Sequence, residues 1–197
     1  MTAAMRGPLR KRESSLWPRE ENDWYCEPRW CSERLFQVES FRGPVHDPCC
    51  GAGAIVESAR AAGLTATGSD IADRVPGQFP VVDAMNDDTF RMNIVSNPPF
   101  KLCNGAAPLV ARFLAMTALK VCLLLPSTWM NGAKRSKWIE DTPLRRVWLL
   151  APRPAMPTGH AIADGLKPGN GTTDYAWYVW DLGYVGTPEI RWLRRDG

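Results

Sequence analysis

The sequence lacks the cysteine and histidine spacing of a zinc site. None of its 6 cysteines forms a Cys-x-x-Cys pair, and its 2 histidines, His46 and His160, lie far apart in the chain. Structural zinc sites combine such ligands at short spacings, so we expect no metal site. Several cysteines fall in apolar segments that we predict to be core strands, which favours reduced thiols and a cytoplasmic protein.

Long apolar runs are also missing. No stretch of about 18 apolar residues occurs, so we expect no transmembrane helix and no membrane partner. The N-terminal residues carry positive charge without an apolar segment behind them. We therefore expect no secretory signal.

Positive charge is concentrated at the two ends of the chain, although the net charge is only +3. The 197 residues suffice for one sizeable core, and we predict a basic flexible arm over residues 1–22 and a single domain over 23–197. The basic residues at the ends are Arg6, Arg10, Lys11, Arg12, Arg191, Arg194 and Arg195. Such clusters can contact nucleic-acid phosphates, and solvated tails without a partner are an equally good interpretation.

Apolar strand-like segments alternate with helical patterns along most of the chain. Strands are predicted over residues 43–48, 64–71, 79–84, 92–99, 120–127, 145–151 and 174–181, with an edge strand over 189–193, and helices over 52–63, 105–119 and 128–140. This alternation predicts an α/β fold with a doubly wound, mostly parallel, seven-stranded sheet. The C-terminal strands follow one another without a helix between them, so we expect them to be antiparallel.

A glycine-containing turn follows the first predicted strand. In "HDPCCGAGA", Gly51 and Gly53 permit a sharp turn, and Asp47 ends the strand at the sheet edge where α/β folds bind ligands. Asp70 follows Gly53 by 17 residues, the expected place of a carboxylate that accepts hydrogen bonds from ribose hydroxyls. Val56 replaces the third glycine of a dinucleotide motif, which favours a nucleoside ligand.

The segment "SNPPF" ends the fourth predicted strand with groups that suit a planar amine. Asn97 offers an amide oxygen, and Pro98 offers a backbone carbonyl without a competing N–H. Pro99 fixes the direction of that carbonyl, and Phe100 supplies a ring for stacking. Two acceptors at one point predict a site that binds an amino group with two N–H donors.

In this order and spacing, "DPCCGAG", "GSDI" and "SNPPF" resemble the S-adenosylmethionine-dependent amino-methyltransferases. They are most similar to the adenine-specific DNA methyltransferases with an (N/D)PP(Y/F) motif, and "TTDYAWYVWD" is similar to small phage and prophage members. The likeness extends from about Trp24 to Trp192. It implies a Rossmann-like class I methyltransferase fold, S-adenosylmethionine as cofactor, and methyl transfer to the amino nitrogen of a flipped adenine in DNA.

The resemblance also implies roles for matched residues. The cofactor-binding candidates are Asp47, Gly51 and Gly53 for the methionine part, Asp70 for the ribose, Asp83 near the adenine, and Pro48, Ile71 and Asn97 without a more specific part, with Tyr25 and Pro28 in an upstream segment that closes over the cofactor. The catalytic candidates that bind the target base are Asn97, Pro98, Pro99 and Phe100. Two features stay open: Asp83 could equally be a solvated strand-end cap, and Glu27 stands where the family commonly has threonine.

Larger relatives carry a target-recognition domain that we do not expect here. The Pro- and Gly-rich segment 151–174 is the best candidate for reading the target, through Arg153, His160 and Lys167. Lys101 could reach a phosphate of the flipped nucleotide, and an ordinary solvated loop and lysine are the alternatives.

Three other functions are compatible with parts of the pattern. The same Asn-Pro-Pro-aromatic geometry serves RNA bases and the glutamine amide of a protein substrate. A binding module without catalysis would not need the intact motif. A dinucleotide-dependent oxidoreductase is disfavoured by Val56 and by the Pro-Pro pair.

Overall fold

A seven-stranded mixed sheet forms the centre of the protein. The computed structural model describes residues 24–105, 107–166, 169 and 171–196, so the predicted arm over residues 1–22 lies outside the described residues. The strands are β1 (Val45–Asp47), β2 (Ala66–Gly68), β3 (Arg91–Ser96), β4 (Thr117–Pro126), β5 (Leu144–Ala151), β6 (Tyr175–Asp181) and β7 (Glu189–Arg194). Their order across the sheet is β2-β1-β3-β4-β6-β5-β7.

Helices cover both faces of this sheet. They are α1 (Trp30–Val38), α2 (Ala54–Ala61), α3 (Phe100–Cys103), α4 (Pro108–Ala115), α5 (Ala133–Glu140) and α6 (Gly159–Ala163), with a 3-10 segment over Ser127–Asn131. Successive residues of a strand point to opposite faces, so Cys122 of β4 packs with α1 and α2, while Leu123 packs with α4. This two-sided burial explains the nearly continuous apolar run in β4. No helix in the described part of the chain has the length and apolar character needed to cross a membrane.

The doubly wound α/β prediction is confirmed, with a correction to the C-terminal strands. Only β6 is antiparallel to its neighbours, β4 and β5. The edge strand β7 pairs with β5 in parallel. Because β6 is antiparallel to both β4 and β5, strands β5 and β7 run in the same direction as β1 to β4.

Three element predictions need correction. Residues 79–84 form no strand and make a single parallel bridge, between Asp70 and Val81, since Pro80 has no N–H to extend a ladder. The predicted helix over 128–140 is divided at Gly132 into the 3-10 segment and α5. The predicted helix over 105–119 begins at Pro108, and its last residues belong to β4.

Helix α1 was not predicted at all. Its buried residues Cys31, Leu35 and Phe36 have helical spacing, and α1 lies directly against α2. Helix α1 directly follows the segment with Tyr25 and Pro28, which is expected to close over the cofactor. The position of α1 therefore bears on the candidate site.

Candidate active site

One cavity lies at the carboxyl ends of β1, β2 and β3. Because β2 and β3 flank β1 on opposite sides, the winding of the chain reverses there, and such points open a crevice in α/β sheets. The cavity has a volume of about 300 Å³. The predicted site residues that line it are Tyr25, Asp47, Pro48, Gly51, Asp70, Ile71, Asp83, Asn97 and Pro99.

The turn between β1 and α2 approaches the cavity through Gly51. Gly51 has φ +53°, and a Cβ there would lie 2.8 Å from Trp24 Nε1. Gly53 has φ +89° and does not line the cavity; a Cβ there would lie 2.5 Å from the ring of Phe79. Gly51 therefore shapes the cavity wall, whereas Gly53 allows the packing of Phe79 behind it.

Asp70 connects the end of β2 to this turn. Its Oδ2 accepts a hydrogen bond of 2.9 Å from the Gly51 N–H, and Oδ1 accepts from the Ala72 N–H at 3.1 Å. The Arg74 guanidinium lies 3.3 Å from the same Oδ1. Asp70 thus holds the glycine turn in place as well as facing the cavity, next to the exposed Ile71.

Asp83 has partners of its own at the cavity wall. Oδ1 accepts from the Met85 N–H at 2.9 Å, and Oδ2 accepts from Asn86 Nδ2 at 2.8 Å. This is the geometry of a side chain that caps a turn. Since Asp83 also lines the cavity, the cap and the binding interpretation are compatible.

Asp47 is the most deeply buried carboxyl group of the cavity, at 1% exposure. Its Oδ1 accepts from Ser96 Oγ at 2.6 Å and from the Cys49 N–H at 3.1 Å. Burial, together with smaller contributions from the nearby carboxyl groups of Glu27 and Asp70, raises the pKa of Asp47 to about 8, against the hydrogen bonds from Ser96 and Cys49. A cationic ligand group would favour its ionised form.

Asn97, at the end of β3, is held by the segment upstream of α1. Its Nδ2 donates to the Tyr25 carbonyl and to Glu27 Oε2, each at 2.8 Å. A backbone carbonyl can only accept, so this contact fixes which end of the amide is the nitrogen. Both N–H groups are used, and Oδ1 is the end of the amide that is left to accept from a ligand.

The remaining predicted residues differ in whether they line the cavity. Pro98 is buried and does not line the cavity, whereas Pro99 lines it and precedes α3. Phe100 packs on Tyr175, with 5.8 Å between ring centroids, and is not part of the cavity wall. Pro28 also lies outside the wall, where its carbonyl accepts from the Cys31 N–H at the start of α1. Lys101 does line the cavity.

The upstream segment pairs with the segment 151–174. Tyr25 and Thr158 form an antiparallel bridge, and the Gly159 N–H donates to the Trp24 carbonyl at 2.9 Å. The Trp24 ring lies against both Gly51 and Gly159, where a Cβ would collide with it. The two segments together form one wall over the sheet edge.

The candidate target-reading residues of 151–174 have different surroundings. Arg153 forms an exposed ion pair with Asp174 at 2.6 Å. His160 packs edge-on against Trp24, with 5.2 Å between centroids. Lys167 lies outside the described residues.

Solved structures share this architecture. A type I restriction-modification methyltransferase subunit from Streptococcus thermophilus gives a TM-score of 0.59 at 11% identity, over 86% of this chain and 47% of that one. A protein assigned as an RNA methyltransferase from Pyrococcus horikoshii gives 0.51 at 15% identity, over 80% and 82%. A modification subunit assigned to a type I restriction enzyme from Vibrio vulnificus gives 0.52 at 11% identity, over 81% and 45%.

This chain has the methyltransferase fold. It spans about half the length of the two restriction-modification subunits. No protein-family model matches it, and no curated protein matches it. At these identities the likeness establishes the fold alone.

The cavity fits the predicted S-adenosylmethionine on grounds independent of the relatives. Trp24 lines the cavity, and its Nε1 is buried against Gly51 without a hydrogen-bond partner among the described residues, which is rare in a native structure. Asp47 and Asp70 supply carboxyl groups, while Ile71 and Met85 supply apolar surface for a ring. The residues present therefore suit a cationic nucleoside derivative.

Several residues that line the cavity were not predicted from the sequence, among them Trp24, Glu27 and Arg74. The sequence pattern gives Trp24 only as the start of the family likeness and Glu27 only as a residue that stands where threonine is common, and it assigns no role to Arg74. The Arg74 guanidinium lies 4.6 Å from the Trp24 ring centroid and also contacts Asp70. The segment from Asp70 to Arg74 is not helical, so their spacing of four residues gives no local signal for this pair.

Proposed function

We propose that the protein transfers a methyl group from S-adenosylmethionine to the exocyclic amino nitrogen of adenine in DNA. The observation that carries the proposal is the Asn97 amide, whose nitrogen is fully engaged and whose Oδ1 is left as an acceptor. This acceptor lines the same cavity as the Gly51 turn and Asp70. A cofactor site and an amine-binding group therefore share one space.

The chain contributes positioning and electrostatics to the transfer. Bound S-adenosylmethionine would supply an electrophilic methyl group on a positively charged sulfur. Asn97 Oδ1 accepts one N–H of the amine, which favours pyramidal nitrogen and stabilises the positive charge that develops there. Asn97 is neutral and does not act as a strong base. Trp24 and its pairing partners at 158–159 limit the access of water to the cavity.

A target adenine in a duplex must leave the base stack to reach this cavity. Phe100 is proposed as a stacking surface for that base, which requires it to separate from Tyr175, its present neighbour. Lys101 is proposed to contact a phosphate of the flipped nucleotide. The two relatives named for restriction-modification systems support a DNA substrate.

Methylation of RNA is a second candidate. The relative assigned as an RNA methyltransferase is matched over 82% of its own length, more than either restriction-modification subunit. The mechanism at Asn97 would be unchanged, because exocyclic amines of DNA and RNA bases have the same donors.

The deciding experiment supplies labelled S-adenosylmethionine with separate pools of unmethylated duplex DNA, single-stranded DNA and total RNA. Nucleosides from each pool are then separated to locate the label. We expect label on adenine from DNA. Label on RNA alone would transfer the proposal to the second candidate, and no label in any pool would contradict both.

The variant Asn97→Ala tests the role of the motif. We expect loss of transfer with cofactor affinity changed less than about threefold, because the amide contacts the amine and not chiefly the cofactor. Asn131→Ala, at an exposed position of the 3-10 segment, is the matched control and should transfer normally. Full activity in Asn97→Ala would refute the mechanism.

A further inference from the structure

Glu27 is the titratable side chain in direct contact with Asn97. Its Oε2 accepts from Asn97 Nδ2 at 2.8 Å, and both residues line the cavity. The contact joins residues 70 positions apart, through the wall made by the upstream segment. It is stronger when the acceptor is charged, because charge-assisted hydrogen bonds exceed neutral ones.

The surroundings of Glu27 place its charge change near neutral pH. Burial raises the pKa of Glu27 to about 7, against its hydrogen bonds with its own backbone and with Asn97. The neighbouring groups are Asp47 on β1, whose pKa Glu27 raises, and Cys31 on α1, whose thiol pKa is raised by burial and by Glu27. The cations lining the same cavity are Arg74, which pairs with Asp70, and Lys101.

We propose that Glu27 is a positioning residue that, when ionised, holds the Asn97 amide with Oδ1 available to the substrate amine, and that loss of its charge weakens this hold. The inference rests on the proposed function and adds that the charge of Glu27 regulates the same site. Glu27 acts through Asn97 and takes no part in the transfer itself. The family threonine at this position could accept a hydrogen bond but could not ionise in this range.

The first test is the pH profile of kcat/KM for DNA, measured for the wild type and for Glu27→Gln, Asp47→Asn and Glu140→Gln. Glutamine keeps an oxygen that accepts from Asn97 Nδ2 and removes the titration. We expect kcat/KM of the wild type to fall as the pH is lowered, with a midpoint at or below about pH 7. This fall, the acid limb of the profile, should be missing in Glu27→Gln. At pH 8 that variant should be about tenfold slower than the wild type.

The two other variants identify the group responsible. If Glu27 is the group that titrates, kcat/KM of Asp47→Asn should still show the acid limb, as in the wild type. Glu140→Gln changes an exposed glutamate of α5 and should match the wild type throughout. An acid limb that persists in Glu27→Gln, or that disappears only in Asp47→Asn, would overturn the inference.

A second test needs no turnover. Titration of the 13C-labelled glutamate carboxyl groups is followed by NMR in the free protein, with Glu27→Gln used to assign the Glu27 signal. Asn97→Ala removes a donor that favours the ionised form, so we expect the Glu27 pKa to rise by roughly half a unit or more. An unchanged Glu27 titration would overturn the inference even in an active enzyme. A wild type that methylates none of the pools would instead refute the proposed function, whatever the titration shows.

Discussion

Replacing Asp47 with asparagine should make the protein less sensitive to pH. Asp47 is buried at the end of β1, and burial raises its pKa from 3.8 to about 8. Asparagine has nearly the same shape, and its Oδ1 can still accept from Ser96 and from the Cys49 N–H. The substitution therefore removes a titration while keeping the local hydrogen bonds.

The sign of the effect follows from proton linkage. Between pH 4 and pH 8 the folded state keeps the Asp47 proton while the unfolded state releases it, so the stability falls as pH rises through this window. With about 1.4 kcal/mol for each pH unit between the two pKa values, the full effect is ~6 kcal/mol, of which ~4 kcal/mol lies between pH 5 and pH 8. For a chain of this size, that corresponds to a decrease in Tm of about 10 °C.

Urea denaturation and thermal melts at pH 5, 6, 7 and 8 measure this difference directly. We expect wild-type stability to decrease along the series and Asp47→Asn to keep only the smaller decrease caused by Glu27, whose pKa is also raised, to about 7. Asp141→Asn changes an exposed residue after α5 and should follow the wild type. Equal slopes in the wild type and Asp47→Asn would refute the assignment of a protonated Asp47.

Three further predictions concern the cofactor and a distant ion-pair cluster. S-adenosylmethionine at about 100 times its Kd should stabilise the protein by ~2.7 kcal/mol in a thermal-shift assay, whereas NAD at the same concentration should leave Tm unchanged; equal shifts would contradict the cavity assignment. Asp70→Ala should weaken cofactor binding at least about tenfold by calorimetry, because it frees the Gly51 turn as well as removing a carboxylate; unchanged affinity would remove Asp70 from the site. Glu39→Ala should destabilise the protein by about 3–5 kcal/mol in urea, because it leaves the nearly buried Lys120 and Arg146 without their shared partner; a change below about 1 kcal/mol would show that solvent reaches the two cations.

The sequence predicted the part of the site that parallel strands bring together. Asp47 ends β1, while Asp70 and Asn97 follow the ends of β2 and β3, and parallel strands have their carboxyl ends at one sheet edge. Glycine and proline mark the turns beyond Asp47 and Asn97 because of their backbone restrictions. Local chemistry was therefore sufficient to predict which edge of the sheet carries the cavity.

Contacts between distant segments could not be predicted in this way. Nothing local indicates that Trp24 and Tyr25 pair with Thr158 and Gly159, because an edge pairing of this kind depends on the course of the whole chain. The pattern at 79–84 also looked like a strand locally. In the fold, Phe79 instead packs against Gly53, and the segment leaves the sheet after a single bridge.

The protonation states of the carboxyl groups in the site are the property that the sequence predicts least well. Glu27 at this position could be a solvated glutamate with an ordinary pKa, and only its burial beneath the wall of the cavity changes that. The same burial brings its carboxylate to the Asn97 amide. The position of Glu27 therefore becomes interpretable only when the distant segments that enclose it are known, and here they connect it to Asn97, the residue proposed to bind the substrate.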